Sequence, residues 1–408
     1  MEKVGRITMN RKRTIEFTII LVILLGTLIS CTGVGRGSDA GAEWYVRDFE
    51  SNSSTSGLEQ IFETDDAVYF LTPREDGQIR FSDKNNKEWL PLCSKPNCMH
   101  EGDSCDSVLE GDAHGRMWLY GRSIYYCVSD SSAFETVPVL YRMRLDGSAH
   151  ERLCSIPFPE DEAYTESGWS WLFHNKYVVI SFRGGYVNES SEVSKGRKFY
   201  IVDLSDESFT AKPFDIHSPD ERSSALGYVI AGRDNYLYSV ILPNEDNVLY
   251  RTDLETGERI EVGVLPVVPE FYDCTLEGDS LIMCDGWDTG AIYEFSLVTG
   301  ETRVLAQADN RSQLWYRYYK GKVYGAHHGV EGAPFATGVY ELDGTPIQIV
   351  DGSVYGKDIM MNYMLGDLAF GYDPSEGDQA SEPPRYYLDL TKVGTDDFVW
   401  KEWGSGEP

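Results

Sequence analysis

Basic residues are scarce. Only 36 Lys and Arg stand against 66 Asp and Glu in the 408-residue chain, a formal net charge of −30. A surface of that sign repels phosphate backbones, so no nucleic acid is expected as a partner. The common catalytic signatures are missing too. There is no GxSxG, no HExxH, no Walker A, no GxGxxG opening a helix and no SxDxGxTW Asp-box. Their absence removes the nucleophile-elbow hydrolases, the zincins, the P-loop nucleotide binders and the dinucleotide-binding fold. No amphipathic helical pattern follows residue 31, which argues against helical and α/β folds. What is present is aromatic and turn-rich: 13% aromatic, with 26 Tyr and 9 Trp, beside 39 Gly. Many aromatics with many glycines suit short strands and tight turns. The apolar fraction of 41% is enough to build a core.

The N-terminus carries Lys3, Arg6, Arg11, Lys12 and Arg13, then an apolar or small-residue run from Phe17 to Ile29. The run is short for a transmembrane span and fits the apolar region of a signal peptide. It ends in Leu28-Ile29-Ser30-Cys31. This ending resembles the lipobox of bacterial lipoproteins. The resemblance implies a signal peptide over 1–30 and a fatty-acylated, palmitate-bearing Cys31 that holds the mature chain on the extracytoplasmic face of the cell membrane. An uncleaved anchor is the alternative, and it also exports the chain. Residues 31–57 are Gly/Ser/Asp-rich and read as a tether. A closing strand near 43–49 is an option within it. Residues 58–408 form the folded body.

A repeat runs through that body. Its first unit is a polar turn and an alternating strand: "TDDAVYFL" (64–71), "GRSIYYCV" (121–128), "HNKYVVIS" (174–181), "RDNYLYSV" (233–240), "GDSLIMCD" (278–285), "KGKVYGAH" (320–327) and "LGDLAFGY" (365–372). A second unit follows, an aromatic strand closed by a tight turn, as in "LYRMRLDGS" (140–148), "LYRTDLETG" (249–257) and "IYEFSLVTG" (292–300). Four strands in roughly 40 to 60 residues make the blade of a β-propeller, which must pack on its neighbours around an axis. The fold expected is therefore all-β, a β-propeller of about seven four-stranded blades. Six or eight blades fit similar spacing, and a β-sandwich array is the runner-up. The terminal "DDFVWKEW" (396–403) is the segment the 43–49 strand would meet in a split closing blade. The turns joining strands A to B and C to D are tight, whereas the B–C and D–A connections vary, which places variation on one end of the propeller.

The segment "LCSKPNCMHEGDSC" (92–105) contains Cys93, Cys98, His100 and Cys105. It falls on the D–A connection between the first two blades. Three thiolates and an imidazole complete a tetrahedral zinc shell with no open position, a structural site. A local disulfide with a spare thiol fits exported proteins equally, and three reduced structural thiols are a third reading. Pro96-Asn97 favours a turn that returns Cys93 towards Cys98. Of the other cysteines, Cys274 and Cys284 flank a hairpin turn and are expected to face each other across it. Cys127 and Cys154 read as buried apolar thiols.

Beyond this segment the candidates for ligand contact are His327, His328, Trp287 and Trp169. An ordinary loop pair for the histidines and wedge-filling for the tryptophans are the competing readings. No residue is singled out as catalytic. The lipobox, the "LYRxDLxTG" repeats and the Cys-x4-Cys-x-His-x4-Cys segment together resemble the propeller-type surface lipoproteins of Gram-positive anaerobes, a resemblance that carries no established activity. The expectation is a lipid-anchored monomer acting as a binding module for a glycan, peptide or protein, with structural zinc as its one cofactor. The alternatives are a hydrolase or lyase on extracellular polysaccharide and a structural scaffold of an envelope complex.

Overall fold

The computed structural model describes residues 51–52 and 61–404, apart from 73–76, 101, 103, 110–111, 131–136, 158–163, 185–196, 218–227, 241–246, 267–272, 285–289, 308–312, 328–334 and 377–381. The chain divides into Met1–Trp44 and Tyr45–Pro408, and all described residues lie in the second unit. The apolar run 17–29, Cys31 and the strand expected near 43–49 fall outside the described residues.

Seven antiparallel sheets follow one another along the chain, each with four consecutive strands A to D. Blade one comprises Ile61–Glu63, Ala67–Thr72, Gln78–Asp83 and Leu90–Pro91. Blade two comprises Asp112–Tyr120, Ser123–Asp130, Val137–Arg144 and Glu151–Ser155. Blade three comprises Tyr164–His174, Tyr177–Gly184, Arg197–Asp203 and Lys212–Phe214, and blade four Tyr228–Arg233, Tyr236–Val240, Val248–Asp253 and Arg259–Val264. Blade five comprises Asp273–Glu277, Ser280–Cys284, Ala291–Ser296 and Thr302–Gln307, and blade six Gln313–Tyr319, Lys322–His327, Ala336–Glu341 and Pro346–Asp351. Blade seven comprises Met360–Leu365, Leu368–Tyr372, Tyr386–Asp389 and Lys401–Glu402. Ser51–Asn52 adds a short strand to blade five, against Cys274 and Thr275. No α-helix occurs among the described residues. The protein is a seven-bladed β-propeller.

The core explains the number. Buried side chains form seven hydrophobic clusters, and each straddles one pair of neighbouring blades. Alternation supplies both sides of every blade. In strand B of blade two, Tyr125 enters the seam with blade three while Tyr126 enters the seam with blade one. The seventh cluster joins Ile61, Val68 and Phe70 of blade one to Tyr363, Phe370 and Tyr387 of blade seven, which closes the ring.

The sequence repeat has a local physical cause. In six blades an Asp at the end of strand C accepts the backbone N–H two residues on: Asp83 from Asn85, Asp146 from Ser148, Asp203 from Ser205, Asp253 from Glu255, Asp343 from Thr345 and Asp389 from Thr391. That Asx turn reverses the chain into strand D. The aliphatic-Tyr dipeptide of the repeat marks a second device. The C–D register shifts at Leu140/Tyr141, Leu249/Tyr250, Ile292/Tyr293 and Val339/Tyr340. The residue skipped on strand D is Leu153, Val262, Leu305 or Ile347, and each packs against a seam cluster. The bulge turns an aliphatic side chain inward that strict alternation would leave in water.

Glycine of the C–D turn then docks one blade on the next. Gly147 of blade two (φ +82°) lies against the Leu92 carbonyl, and Gly257 of blade four (φ +76°) against the Asp215 carbonyl. A Cβ at either position would collide with that carbonyl, and L side chains rarely adopt this backbone conformation.

Candidate metal centre

The cysteine segment interrupts the outer strand of blade one. Strand C of that blade meets Leu90–Pro91 at Phe81 and Arg80. One step further, Leu92 N–H donates to the Ile79 carbonyl (2.9 Å) and Ile79 N–H donates to the Ser107 carbonyl (2.8 Å). Leu109 N–H then reaches Gly77 (2.8 Å). The lane beside strand C is thus built from two separate pieces, and residues 93–106 are an excursion whose neck closes on Ile79. Leu92 and Leu109, at the two feet, are buried in the cluster between blades one and two.

The excursion brings its donors together. Cys93, Cys98, His100 and Cys105 each offer one ligand atom, and the four atoms lie within 4.8 Å of one another. Cys105 Sγ and His100 Nδ1 are 3.6 Å apart. Two ligands of one tetrahedral zinc, at the usual Zn–S and Zn–N lengths, stand about 3.6 Å apart, and two thiolates about 3.8 Å. Closing the whole set on an ion requires a contraction of about 1 Å at its widest pair. Cys105 is buried, Cys93 and Cys98 are half-buried and His100 is exposed.

Backbone conformation makes this possible. Asn97 (φ +59°) follows Pro96, and His100 (φ +58°) and Gly102 (φ +64°) are also left-handed. A non-glycine residue held there costs about 1 kcal/mol or more and marks a site whose surroundings over-determine it. The Pro-Asn turn forms where expected and returns the chain towards Cys93.

Each sulfur also has a hydrogen-bond partner two residues further on. His100 N–H points at Cys98 Sγ (3.4 Å). Lys95 N–H donates to Cys93, as does Asp106 N–H. Ser107 Oγ lies 3.0 Å from Cys105 Sγ. Gln78 Nε2 donates to that same Ser107 Oγ (3.0 Å), and Gln78 Oε1 accepts from Arg80 Nε (3.2 Å). Burial pushes the Cys93 thiol up, but the Lys95 and Asp106 N–H groups and the neighbouring thiols outweigh it and leave it below its ordinary value. At Cys98 the His100 N–H favours the thiolate, yet desolvation and the adjacent thiols leave it above its ordinary value. Such outer partners orient metal ligands.

A polar lock crosses the neck as well. Asp106 accepts from Ser94 Oγ (2.8 Å) and pairs with Lys95 Nζ (2.7 Å), which also donates to the Ser104 carbonyl (2.7 Å). Ser107, Lys95, Asp106 and the more distant His150 escaped the sequence reading. For the first three, position two residues beyond or one residue beyond a cysteine was the available signal.

The other candidates lie elsewhere. No disulfide joins any of Cys93, Cys98, Cys105 and Cys154. Cys274 pairs with Met283 in the hairpin register, and Cys284 pairs with Asp273. The two cysteines therefore point to opposite faces of blade five and join different seam clusters. The expectation that they face each other was wrong by one residue of register. Cys127 is a buried apolar thiol as expected; Cys154 is only partly buried, packed against the same cluster from the outer strand, its thiol pushed up to about 11 by desolvation. Trp169 occupies strand A of blade three opposite Phe182, and His327 is the last residue of strand B in blade six. Trp287 and His328 lie outside the described residues. Of the four, Trp169 and His327 are the described ones, and their strands belong to blades three and six, not to the two blades beside the cysteine segment.

Fold and site together define a seven-bladed β-propeller with a three-cysteine, one-histidine cluster that can hold a metal ion, set at the seam of its first two blades. No family model and no curated protein matches the sequence. Among solved structures, similarity is found to TolB from Acinetobacter baumannii, at 14% identity and TM-score 0.33 over 69% of this chain and 62% of that one. A prolyl endopeptidase structure is similar at 13% identity and TM-score 0.48, over 90% of this chain and 52% of that one. A puromycin hydrolase S511A mutant complexed with PGG is similar at 13% identity and TM-score 0.46, over 86% and 54%. The chain thus spans between about half and three-fifths of the length of these proteins. Likenesses this distant assign neither a family nor an activity.

Proposed function

We propose that this protein is an exported, lipid-anchored β-propeller lipoprotein whose end bearing the long B–C and D–A connections binds a glycan, peptide or protein. The difference between the two ends supports this reading. At three seams the A–B ends of neighbouring blades are tied together. Trp118 Nε1 donates to the Asn175 carbonyl (3.0 Å), Asn175 Nδ2 to the Asp234 carbonyl (3.0 Å), and Lys320 pairs with Asp367 (2.6 Å). A rigid frame at one end leaves the opposite connections free to vary in length and chemistry, the usual division between scaffold and recognition surface. Cys31 would carry the lipid. His327, His328, Trp287 and Trp169 remain the residues proposed for ligand contact.

The same reading assigns a structural zinc ion to Cys93, Cys98, His100 and Cys105. A disulfide would use two sulfurs and leave the third thiol and the imidazole without a role, whereas one tetrahedral ion uses all four. Zinc K-edge absorption on the loaded protein should fit three sulfurs and one nitrogen.

Binding is tested by glycan-array and pull-down screening of the purified protein. Hits lost on shortening the 185–196 or 373–385 connection support it, and hits unaffected by those changes contradict it. Cys31→Ser should move the protein from the membrane to the soluble fraction; unchanged membrane association would overturn the lipid anchor.

A further inference from the structure

We infer that the metal ion clamps blade one to blade two, and that His150 is the positioning residue coupling them; this rests on the zinc assignment above. Cys93 and Cys105 stand at the two feet of the excursion, so an ion shared with Cys98 and His100 fixes the neck. The residue after Cys105 is Asp106, and its carbonyl accepts from His150 Nε2 (2.8 Å). His150 belongs to the C–D turn of blade two. The same nitrogen is 3.2 Å from the Gly147 carbonyl. Both partners are carbonyls, which only accept, so Nε2 carries the proton. In the neutral ring Nδ1 is then an acceptor, 2.8 Å from Tyr126 Oη. Tyr126 is fully buried in the seam and stacks on Tyr141 with centroids 5.4 Å apart.

A continuous path therefore runs from the cluster to the interior of blade two: Cys105, Asp106 carbonyl, imidazole, Tyr126 hydroxyl. The Leu92 carbonyl, one residue before Cys93, rests on Gly147 beside it, where no Cβ fits. Both feet of the loop touch one turn of the neighbouring blade. An ion that holds the feet holds that turn. Linkage makes the effect reciprocal: whatever the ion contributes to the docking of His150, His150 contributes to the affinity for the ion.

The test uses the purified full chain, with zinc affinity measured by competition against a chromophoric chelator and amide exchange measured with and without zinc. His150→Phe and the isosteric Tyr126→Phe are compared with the unaltered protein. Zinc removal should speed exchange in 123–130 and 137–144. His150→Phe should weaken zinc roughly five-fold or more and abolish the zinc dependence of exchange in blade two. Tyr126→Phe, which keeps the packing, should weaken zinc by a smaller factor. Stoichiometric zinc with blade-two exchange indifferent to it, or unaltered affinity in both variants, would overturn the clamp while leaving the zinc assignment intact. Failure to bind zinc at all would overturn both.

Discussion

Blade one has two seams, and they are built from different materials. Both involve an outer strand only two residues long, Lys401–Glu402 on blade seven and Leu90–Pro91 on blade one. At the seam with blade seven the shortfall is met by aromatic rings. Trp403 packs on Phe370 (5.1 Å between centroids) and Tyr387 (5.2 Å), and its Nε1 donates to the buried Ser82 Oγ (2.7 Å). Trp89 Nε1 donates to the Pro384 carbonyl (3.0 Å), and Lys87 sits over the Tyr387 and Trp403 rings. At the seam with blade two the shortfall is met by a looped excursion holding thiols and an imidazole. Aromatic packing depends on little beyond water and temperature. A thiol–imidazole cluster depends on metal and redox state. On the zinc proposal, the seam with blade seven is unconditional, whereas the seam with blade two adds a conditional clamp to its own hydrophobic cluster.

The largest expected effect breaks the unconditional seam. Trp403→Ala should cost about 3–5 kcal/mol in denaturant unfolding, with the loss unchanged by chelator. It also strips Ser82 of a donor in the core. A loss that depends on zinc would mean the two seams are not separable.

Acid supplies a control at a third seam. His174 is buried beside Gly232 of blade four, and desolvation pushes it down to about 4. Its ordinary value is 6.5. Because the folded value is depressed, the neutral ring is favoured by folding, and between pH 6.5 and 4 the unfolded chain binds the extra proton. Stability is therefore full above pH 6.5 and falls by about 3 kcal/mol as pH drops to 4. Urea midpoints across that window should show the slope, and His174→Gln should flatten it.

Chelation is expected to act next in size. If zinc is present at about a hundred times its dissociation constant, its removal costs about 2.7 kcal/mol. Cys98→Ala should reproduce that loss and make the protein indifferent to chelator. Gly147→Ala attacks the same seam through the backbone and should cost about 2 kcal/mol or more, read as a lowered thermal midpoint. The smallest effect belongs to Lys95→Ala. Its ion pair with Asp106 is half exposed and screened by solvent, so the thermal midpoint should hardly move.

The blades were legible in the sequence because each one repeats its punctuation. The Asp of the C–D turn and the alternating B strand recur with the geometry they create. The bulges were not legible, since an inserted Leu153 or Val262 breaks the two-residue period on which strand reading rests. The same sensitivity to one residue misplaced Cys274 against Cys284. The four candidate ligands could be named from spacing, because they lie within one short segment. His150 could not, because it is far from Asp106 in the chain and only the packing of one blade on the next brings them together.

Metal content tests the conditional seam most directly. Elemental analysis of the purified protein, with thiols counted before and after chelation under denaturing conditions, should give one zinc per chain and three thiols that become reactive only when zinc is removed. A metal-free protein carrying a mapped Cys93–Cys98 or Cys98–Cys105 disulfide would contradict it.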